Sequence, residues 1–227
     1  MARQVTALTS GDVDRLPAPC RWCLFWELGA ACPQPRTEPA VPGLALERPP
    51  ERPQERKRAW VSQRVEEGHP PGRIVTVDDE VVGFALFGPS RAFAPRASLI
   101  PGPSADALLL ATVWIAPTHR EHGLGRLLLQ AAVKEAIRQD RTGVEVHADR
   151  RWRDRACVLP ATWLLHEGFT VHREHPRTPL LRLDVRRTVR WAGPLEHAWD
   201  EVLARLPRRS PGTVRAGDHA APPGRRG

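Results

Sequence analysis

The stretch from Ala107 to Ile137, ALLLATVWIAPTHREHGLGRLLLQAAVKEAI, limits what this chain can fold into more than any other segment. Its first residues, Ala107–Ile115, form an apolar run long enough for a buried strand and too short to span a bilayer. Pro117 ends the strand. From Leu124 onward the apolar positions recur at a spacing of four: Leu128, Ala132 and Ala136 in one stripe, Leu129, Val133 and Ile137 in the next. The spacing predicts a helix that buries a broad face. Gly123 and Gly125 stand at its start, where glycine lowers helix propensity. Their presence there implies that something approaches the main chain closely. A strand that passes through glycines into a helix presents bare backbone N–H groups at the positive end of the helix dipole. Such an arrangement suits an anion, typically phosphate.

Two familiar phosphate turns do not fit. A P-loop needs Lys and then Ser or Thr after its second glycine, and here Arg126 and Leu127 follow. The dinucleotide fingerprint needs a third glycine where Leu128 stands, and it wants an early parallel βαβ unit. A third pattern does fit. Arg120-Glu121-His122-Gly123-Leu124-Gly125 resembles the R/Q-x-x-G-x-G/A turn of the GNAT N-acetyltransferase superfamily. The likeness extends outward from the turn. Ile115-Ala116-Pro117 is similar to the family's V-x-P at the end of its fourth strand, and WLLHEGF (163–169) to its closing Gly-Phe. TALTSGDVDRL (6–16) resembles its first strand and helix start, and VVGFALFG (81–88) its third strand.

The resemblance covers about residues 3–187 and implies acetyl-CoA, or another acyl-CoA, as donor. It places the pyrophosphate on the amides of Arg120, Glu121, His122, Gly123, Leu124, Gly125 and Arg126. The pantetheine arm would pair with the backbone of Val113, Trp114 and Ile115 like an added strand, with the Ile115 N–H toward the thioester carbonyl. An amine would then attack the thioester directly, with a base for its proton, a donor to the carbonyl oxygen and an acid for the thiolate.

The chain departs from the family pattern at four positions. Leu109 stands where several members carry a Glu base, and Leu164 where a Tyr acid is frequent; the chain has no Tyr. Cys157 replaces an Asn that often contacts pantetheine, and Glu121 stands where glycine is common. Cys157 could donate to the leaving thiolate or simply fill the Asn space. His147, Asp149 and His166 also border the expected cleft, although lone histidines of this kind are usually solvated or structural.

The rest of the chain supplies the other elements. A short strand and helix start are expected in RQVTALTSGDVDRL, capped by Ser10 or Asp12. Residues 33–53 hold seven prolines and read as an extended loop or linker. A helix is expected over 55–68, with Ala59, Val61 and Val65 inward and Gly68 as its stop. Residues 73–88 read as a hairpin around an acidic turn, and 89–106 as a long loop. GVEVHA (143–148) is a strand, 156–169 a helix kinked or started by Pro160 and ended at Gly168, and two more strands follow. PLEHAWDEVLARL (194–206) predicts a terminal helix whose Leu195, Trp199, Val202 and Leu206 face could pack on its own sheet or on a twin, a homodimer. The fold class is α/β (α+β): a GNAT-like central mixed, mostly antiparallel sheet flanked by helices. One acyl-CoA-binding domain is expected over 1–187, then a C-terminal helix over 188–206 and a disordered basic tail over 207–227.

CRWCLFWELGA (20–30) is the second unusual stretch. Cys20-x-x-Cys23 with Cys32 is half of a zinc pattern without its second half, so no metal is expected. Packed apolar thiols, a zinc site and a redox pair stand as readings, with packing ahead. Glu27 lies inside the aromatic run, where a charge must face water, a partner or a substrate amine. It is either an acceptor-side carboxylate suited to a cationic amine, or half of a salt bridge to Arg21 or another Arg.

The formal net charge is +8, and the tail 207–227 carries half of it with five Arg and one Asp. That tail can touch nucleic acid or an acidic partner, or be a solvated end. The N-terminal MARQVTALTSGDVDRL has no apolar signal region, so a cytoplasmic protein free of membrane contact is expected. The leading expectation is acetyl transfer from acetyl-CoA to an amine of unknown identity, on a small molecule or a protein. An acyl-CoA-binding sensor with little catalysis is the alternative, and a basic nucleic-acid-associated protein a third.

Overall fold

The computed structural model describes residues 3–18, 20–30, 53–94, 102–152 and 157–185. The glycine turn, the hairpin and every expected strand lie within them. The predicted helix at 194–206, the tail, Cys32 and most of the proline-rich stretch lie outside the described residues.

Strand β1 (Arg3–Ala7) leads into a 3-10 turn at Ser10–Arg15. Its N-cap is Thr9, not Ser10 or Asp12. Asp12 is the third residue of a capping box and accepts the Thr9 N–H at 2.9 Å and the Thr9 hydroxyl at 2.6 Å. Helix α1 (Phe25–Leu28) is a single turn ended by Gly29 in the left-handed region. Helix α2 (Pro53–Glu66) starts on a proline, whose missing N–H is no loss at that position. Its buried residues are Lys57, Trp60 and Val61. Val65, expected inside, is 38% exposed, since the buried face of α2 is made by Lys57, Trp60 and Val61.

Strands β2 (Gly72–Val77) and β3 (Glu80–Pro89) form the expected hairpin. Asp78 and Asp79 both take positive φ, 50° and 63°, which matches the right-handed twist of the strands they join. Strand β4 (Ala107–Ile115) pairs with β3, and helix α3 (Leu124–Arg138) follows it. Strands β5 (Gly143–Asp149) and β6 (Leu159–Pro160), helix α4 (Ala161–His166), and strands β7 (Thr170–Arg173) and β8 (Leu180–Asp184) complete the described fold.

The sheet order is β1-β2-β3-β4-β5-β8-β7, with β6 beside β5. Only the β4/β5 and β5/β6 pairs are parallel. The sheet divides two cores. One gathers Leu108, Leu110, Val144, Val146 and Ala148 under α3 and α4. The other gathers Leu109, Ala111, Phe84, Leu86 and Phe93 under Trp26 of α1 and Trp60 of α2. Helix α3 buries Leu128, Ala132 and Ala136 as expected, and also Leu124, Leu127 and Ala131. The second expected stripe is only half inside. Leu129 is buried while Ile137 is 48% exposed, although Ala136 beside it is fully buried.

One irregularity in β4 sets up everything that follows. Leu86 pairs with Thr112 and Phe87 with Leu110, so Ala111 is an extra residue on β4. Such a bulge bends its strand and reverses which residues face which layer. Leu109 and Ala111 belong to the second core, whereas Val113 and Ile115 pack against the first.

Candidate functional site: a parted strand pair beside a glycine turn

Strands β4 and β5 pair only from Ala107–Gly143 to Leu109–Glu145. Beyond that point β4 runs on to Ile115 and β5 to Asp149, without pairing to each other. The bulge at Ala111 falls just where pairing stops and bends β4 away. The far edge of β4 stays in β3's ladder, through Ala85–Val113, Phe84–Trp114 and Gly83–Ile115. The near edge of Val113, Trp114 and Ile115 has no strand partner among the described residues. It can accept an extended ligand in the manner of an added strand.

The glycine turn lies at the end of this open edge. Ala116 is tied to β3 by its N–H to the Val82 carbonyl, 2.8 Å, and Pro117–His119 forms a 3-10 turn. Arg120 donates from Nε to the Ile115 carbonyl at 3.3 Å, which closes the corner. Glu121 and Gly123 then take positive φ, 64° and 82°. The left-handed Glu121 accounts for glycine being common there in the resembling family: the backbone requires the conformation, and Glu tolerates it at some strain. Gly123 is the N-cap of α3 and offers no side-chain cap. Leu127 is the first residue to bond back, to the Gly123 carbonyl at 3.0 Å. The amides of Leu124, Gly125 and Arg126 therefore have no acceptor within the helix.

Gly125 packs against α4, where a Cβ would sit 3.1 Å from the Trp163 ring. Arg126 is likewise engaged by α4's end. Its Nε donates to Glu167 Oε2 at 2.8 Å and its Nη2 to Oε1 at 3.4 Å. The turn's positive character thus rests mainly on backbone amides and Arg120. Burial, with His122 nearby, holds His119 below its ordinary range.

The other face of the gap is lined from α1 and β5. Glu27 is not open to water. It is buried and ion-paired with Lys57 of α2, whose Nζ also donates to the Cys23 carbonyl at 2.9 Å. The salt bridge expected to Arg21 or another Arg is therefore made by Lys57, a buried cation that needs an anionic partner of its own. Burial pushes the Glu27 carboxyl up, and the attraction of Lys57 opposes this without cancelling it. Cys157 stands two residues before β6, which runs along the gap side of β5. Its Sγ is 3.7 Å from Cys23 Sγ, and its carbonyl accepts the Trp26 Nε1–H at 2.8 Å. Cys23 thus meets Cys157 across the fold. Among the described residues no group of His, Cys, Asp and Glu is placed to hold a metal ion.

Sequence reasoning named His147 and Asp149 beside the cleft but missed Glu145, and with it the continuous polar face of β5. Val144, Val146 and Ala148 face the first core, so Glu145, His147 and Asp149 share the opposite face, and all three are buried. Glu145 is the register partner of Leu109. A carboxylate is thus present directly across from the position where Leu replaces Glu. It is bound on both oxygens, by the Ser104 N–H at 2.7 Å and Arg182 Nη1 at 2.7 Å. Arg182 also holds Asp106, and that pairing with help from Thr142 drives the Asp106 carboxyl far below its usual range. His147 stacks on Trp26, ring centroids 6.4 Å apart, and burial pushes its pKa down to about 4. His166, by contrast, lies on the exposed side of α4. The alternation in GVEVHAD was a readable signal of an unusual polar face, but nothing in it tells which side of the sheet would be covered.

Leu109 and Leu164 are both buried in core clusters. No helix among the described residues is long and apolar enough to cross a membrane.

The model of the Acetyltransferase (GNAT) family matches residues 38–157, which spans the α2–β4 segment, the glycine turn and α3. No curated protein matches the chain. Among solved structures, the chain resembles the PaiA N-acetyltransferase of Thermoplasma acidophilum in complex with coenzyme A, with TM-score 0.50 and 13% identity over 81% of this chain and 99% of that one. It also resembles YncA of Salmonella typhimurium, solved with its cofactor acetyl-CoA, with TM-score 0.52 and 19% identity over 82% of this chain and 95% of that one. At these identities the structures speak for a shared fold. The family match takes in the strand, turn and helix described above, and the chain belongs to the GNAT acetyltransferase family.

Proposed function

We propose that the protein is an N-acetyltransferase that moves the acetyl group of acetyl-CoA to an amine. The observation that carries this reading is the parted β4/β5 pair leading straight to an N-terminally uncapped helix. The open edge at Val113, Trp114 and Ile115 suits the amides of pantetheine, and the turn from Arg120 to Arg126 suits a pyrophosphate. Both ligand parts would be bound through the main chain, so the identities of side chains such as Glu121 and His122 matter less there than the backbone conformation. PaiA and YncA, solved with coenzyme A and acetyl-CoA, support the donor class.

On the acceptor side, Glu27 and Cys157 are our candidates for roles in the reaction. Glu27, with Lys57, anchors the floor of α1 beside Trp26 and Phe25 and places an aromatic wall near the gap. Cys157 precedes β6 beside the end of β5, and its thiol is our candidate to serve the leaving thiolate. A second reading, acyl-CoA binding with little catalysis, is favoured by Leu109 and Leu164, apolar and buried at the positions where related enzymes carry acid and base.

Calorimetric titration with acetyl-CoA, on the native protein and on Gly125→Glu, tests the donor site. Binding by the native protein that the variant lacks supports it. A folded native protein that does not bind acetyl-CoA overturns it. Thiol release in the presence of primary amines then separates the enzyme from the binding protein.

A further inference from the structure

We propose that Cys23 and Cys157 form a reversible disulfide, closed by a peroxide and opened by a dithiol, between two segments that the fold already holds in place. The inference goes beyond the acetyl-transfer reading and does not depend on it. Cysteines 134 positions apart have no local reason to meet, yet the two sulfurs lie 3.7 Å from each other. Both are reduced in the structure. A thiol buried alone among apolar side chains is inert, whereas two thiols in contact, one of them partly open to solvent, can be oxidised as a pair. Cys23 is only 8% exposed, and Cys157 is half-buried. Cys157 is therefore the sulfur that an oxidant reaches first, and Cys23 the one that resolves it.

Each cysteine is anchored through its own main chain. The Cys23 carbonyl accepts the Lys57 Nζ at 2.9 Å, and Lys57 is held in turn by the buried Glu27. The Cys157 carbonyl accepts the Trp26 indole N–H at 2.8 Å. Trp26 stands three residues beyond Cys23, so this bond already ties the two segments to each other. Two residues beyond Cys157, β6 is paired to β5 through Ala148–Leu159 and Asp149–Pro160. A disulfide needs its sulfurs about 2.05 Å apart, so these two must close by about 1.7 Å. A change of χ1 rotamer carries a cysteine sulfur farther than that, which puts the approach within reach of side-chain rotation.

The oxidation balances with hydrogen peroxide as oxidant. The Cys157 thiol gives up its proton, and the thiolate sulfur attacks one peroxide oxygen. The O–O bond breaks, the departing hydroxide takes up the proton as water, and Cys157 is left as a sulfenic acid. The Cys23 thiol then loses its proton, and its sulfur attacks the Cys157 sulfur. The S–S bond forms as the S–O bond breaks, and the hydroxide leaves with that electron pair and the Cys23 proton as a second water. Two thiols together lose two electrons, and the peroxide gains them. While the bond is closed, the Cys157 thiol is withdrawn from every other reaction.

The test uses the full chain. Reduced protein is treated with an equivalent of hydrogen peroxide, the remaining thiols are blocked with N-ethylmaleimide, and the unreduced peptides are mapped by mass spectrometry. The expected product is a cross-linked peptide pair holding Cys23 and Cys157, with Cys20 and Cys32 carrying the label, and dithiothreitol should release it. The oxidised protein should melt about 5–10 °C above the reduced one, because the bond closes a long loop in the unfolded chain. That rise should be absent from Cys23→Ser and from Cys157→Ser. A cross-link through Cys20 or Cys32, a bond between two chains, a sulfinic acid at Cys157 beside an unreacted Cys23, or four labelled thiols after treatment overturns the proposal. So does a Cys23–Cys157 bond that leaves the Tm unchanged or lowers it, since the segments would then have been pulled out of place to make it. If either serine variant does not fold, the map and the melt of the native protein, oxidised against reduced, decide without it.

Discussion

The two sides of the β4/β5 gap are built by different means. The donor side is main chain: a strand edge without a partner, a turn with two left-handed residues and the first amides of α3. Its side chains are largely occupied elsewhere, Arg126 with Glu167 and Arg120 with the Ile115 carbonyl. The acceptor side is made of side chains drawn from distant segments. Glu27 meets Lys57, Glu145 meets Arg182, and His147 meets Trp26. A backbone site tolerates substitution because the conformation, not the residue, makes the contact. A side-chain site has no such freedom, and its buried charges are stable only as long as every partner is present.

The sharpest way to break this comparison is to remove one partner on the acceptor side. Lys57→Met leaves Glu27 buried without its cation, and a loss of about 3–5 kcal/mol in urea unfolding is expected. The double variant Lys57→Met/Glu27→Leu should recover most of that loss, because it removes the stranded charge as well as the pair. A single variant as stable as the native protein would mean that water reaches Glu27 and that α1 is looser than its packing suggests.

The next effect comes from pH. His147 has a folded pKa near 4 against an ordinary value of 6.5. Between those values the unfolded chain binds a proton that the folded chain does not, so stability falls as pH drops. The contribution is fully present above pH 6.5 and is lost progressively as pH falls through about 4, by about 3 kcal/mol at most. Urea unfolding of the native protein and His147→Gln at several pH values between 7.5 and 4.5 isolates it: the slope should be shallower in the variant. Parallel slopes would show that the imidazole is solvated.

The smallest effect belongs to the donor side. Gly123→Ala places a Cβ at φ 82°, and about 1–2 kcal/mol of strain is expected, a fall in Tm of about 2–8 °C. Its acetyl-CoA affinity should drop along with it, since the same φ aims the first amides of the helix. A variant with lowered Tm and unaltered affinity would show that the ligand is held beyond the turn.

Much of the donor side could be read from local sequence. The apolar run, the proline and the two glycines lie within a few residues of each other, and local sterics and helix geometry determine what they do. The hairpin at Asp78-Asp79 was legible for the same reason. The packing of Trp163 against Gly125 was not legible, because Trp163 enters from a helix far along the chain and no local pattern announces it. The cap at Thr9 was missed by one residue, an ambiguity that any run of Thr, Ser and Asp presents to a reader of sequence.

The acceptor side was legible only as an oddity. A Glu among aromatics and a Glu-His-Asp alternation signal that buried charges need partners, yet Lys57 lies thirty positions from Glu27 and Arg182 thirty-seven from Glu145. Sequence periodicity states which residues share a face, and by itself it determined the strands, the turn and the helix that follows it. It cannot state which face another layer will cover, or where an extra residue reverses the alternation. The bulge at Ala111 decided both where β4 leaves β5 and which side chains meet across the gap. A bulge is selected by the fit of whole layers against each other, so only the tertiary structure could place it.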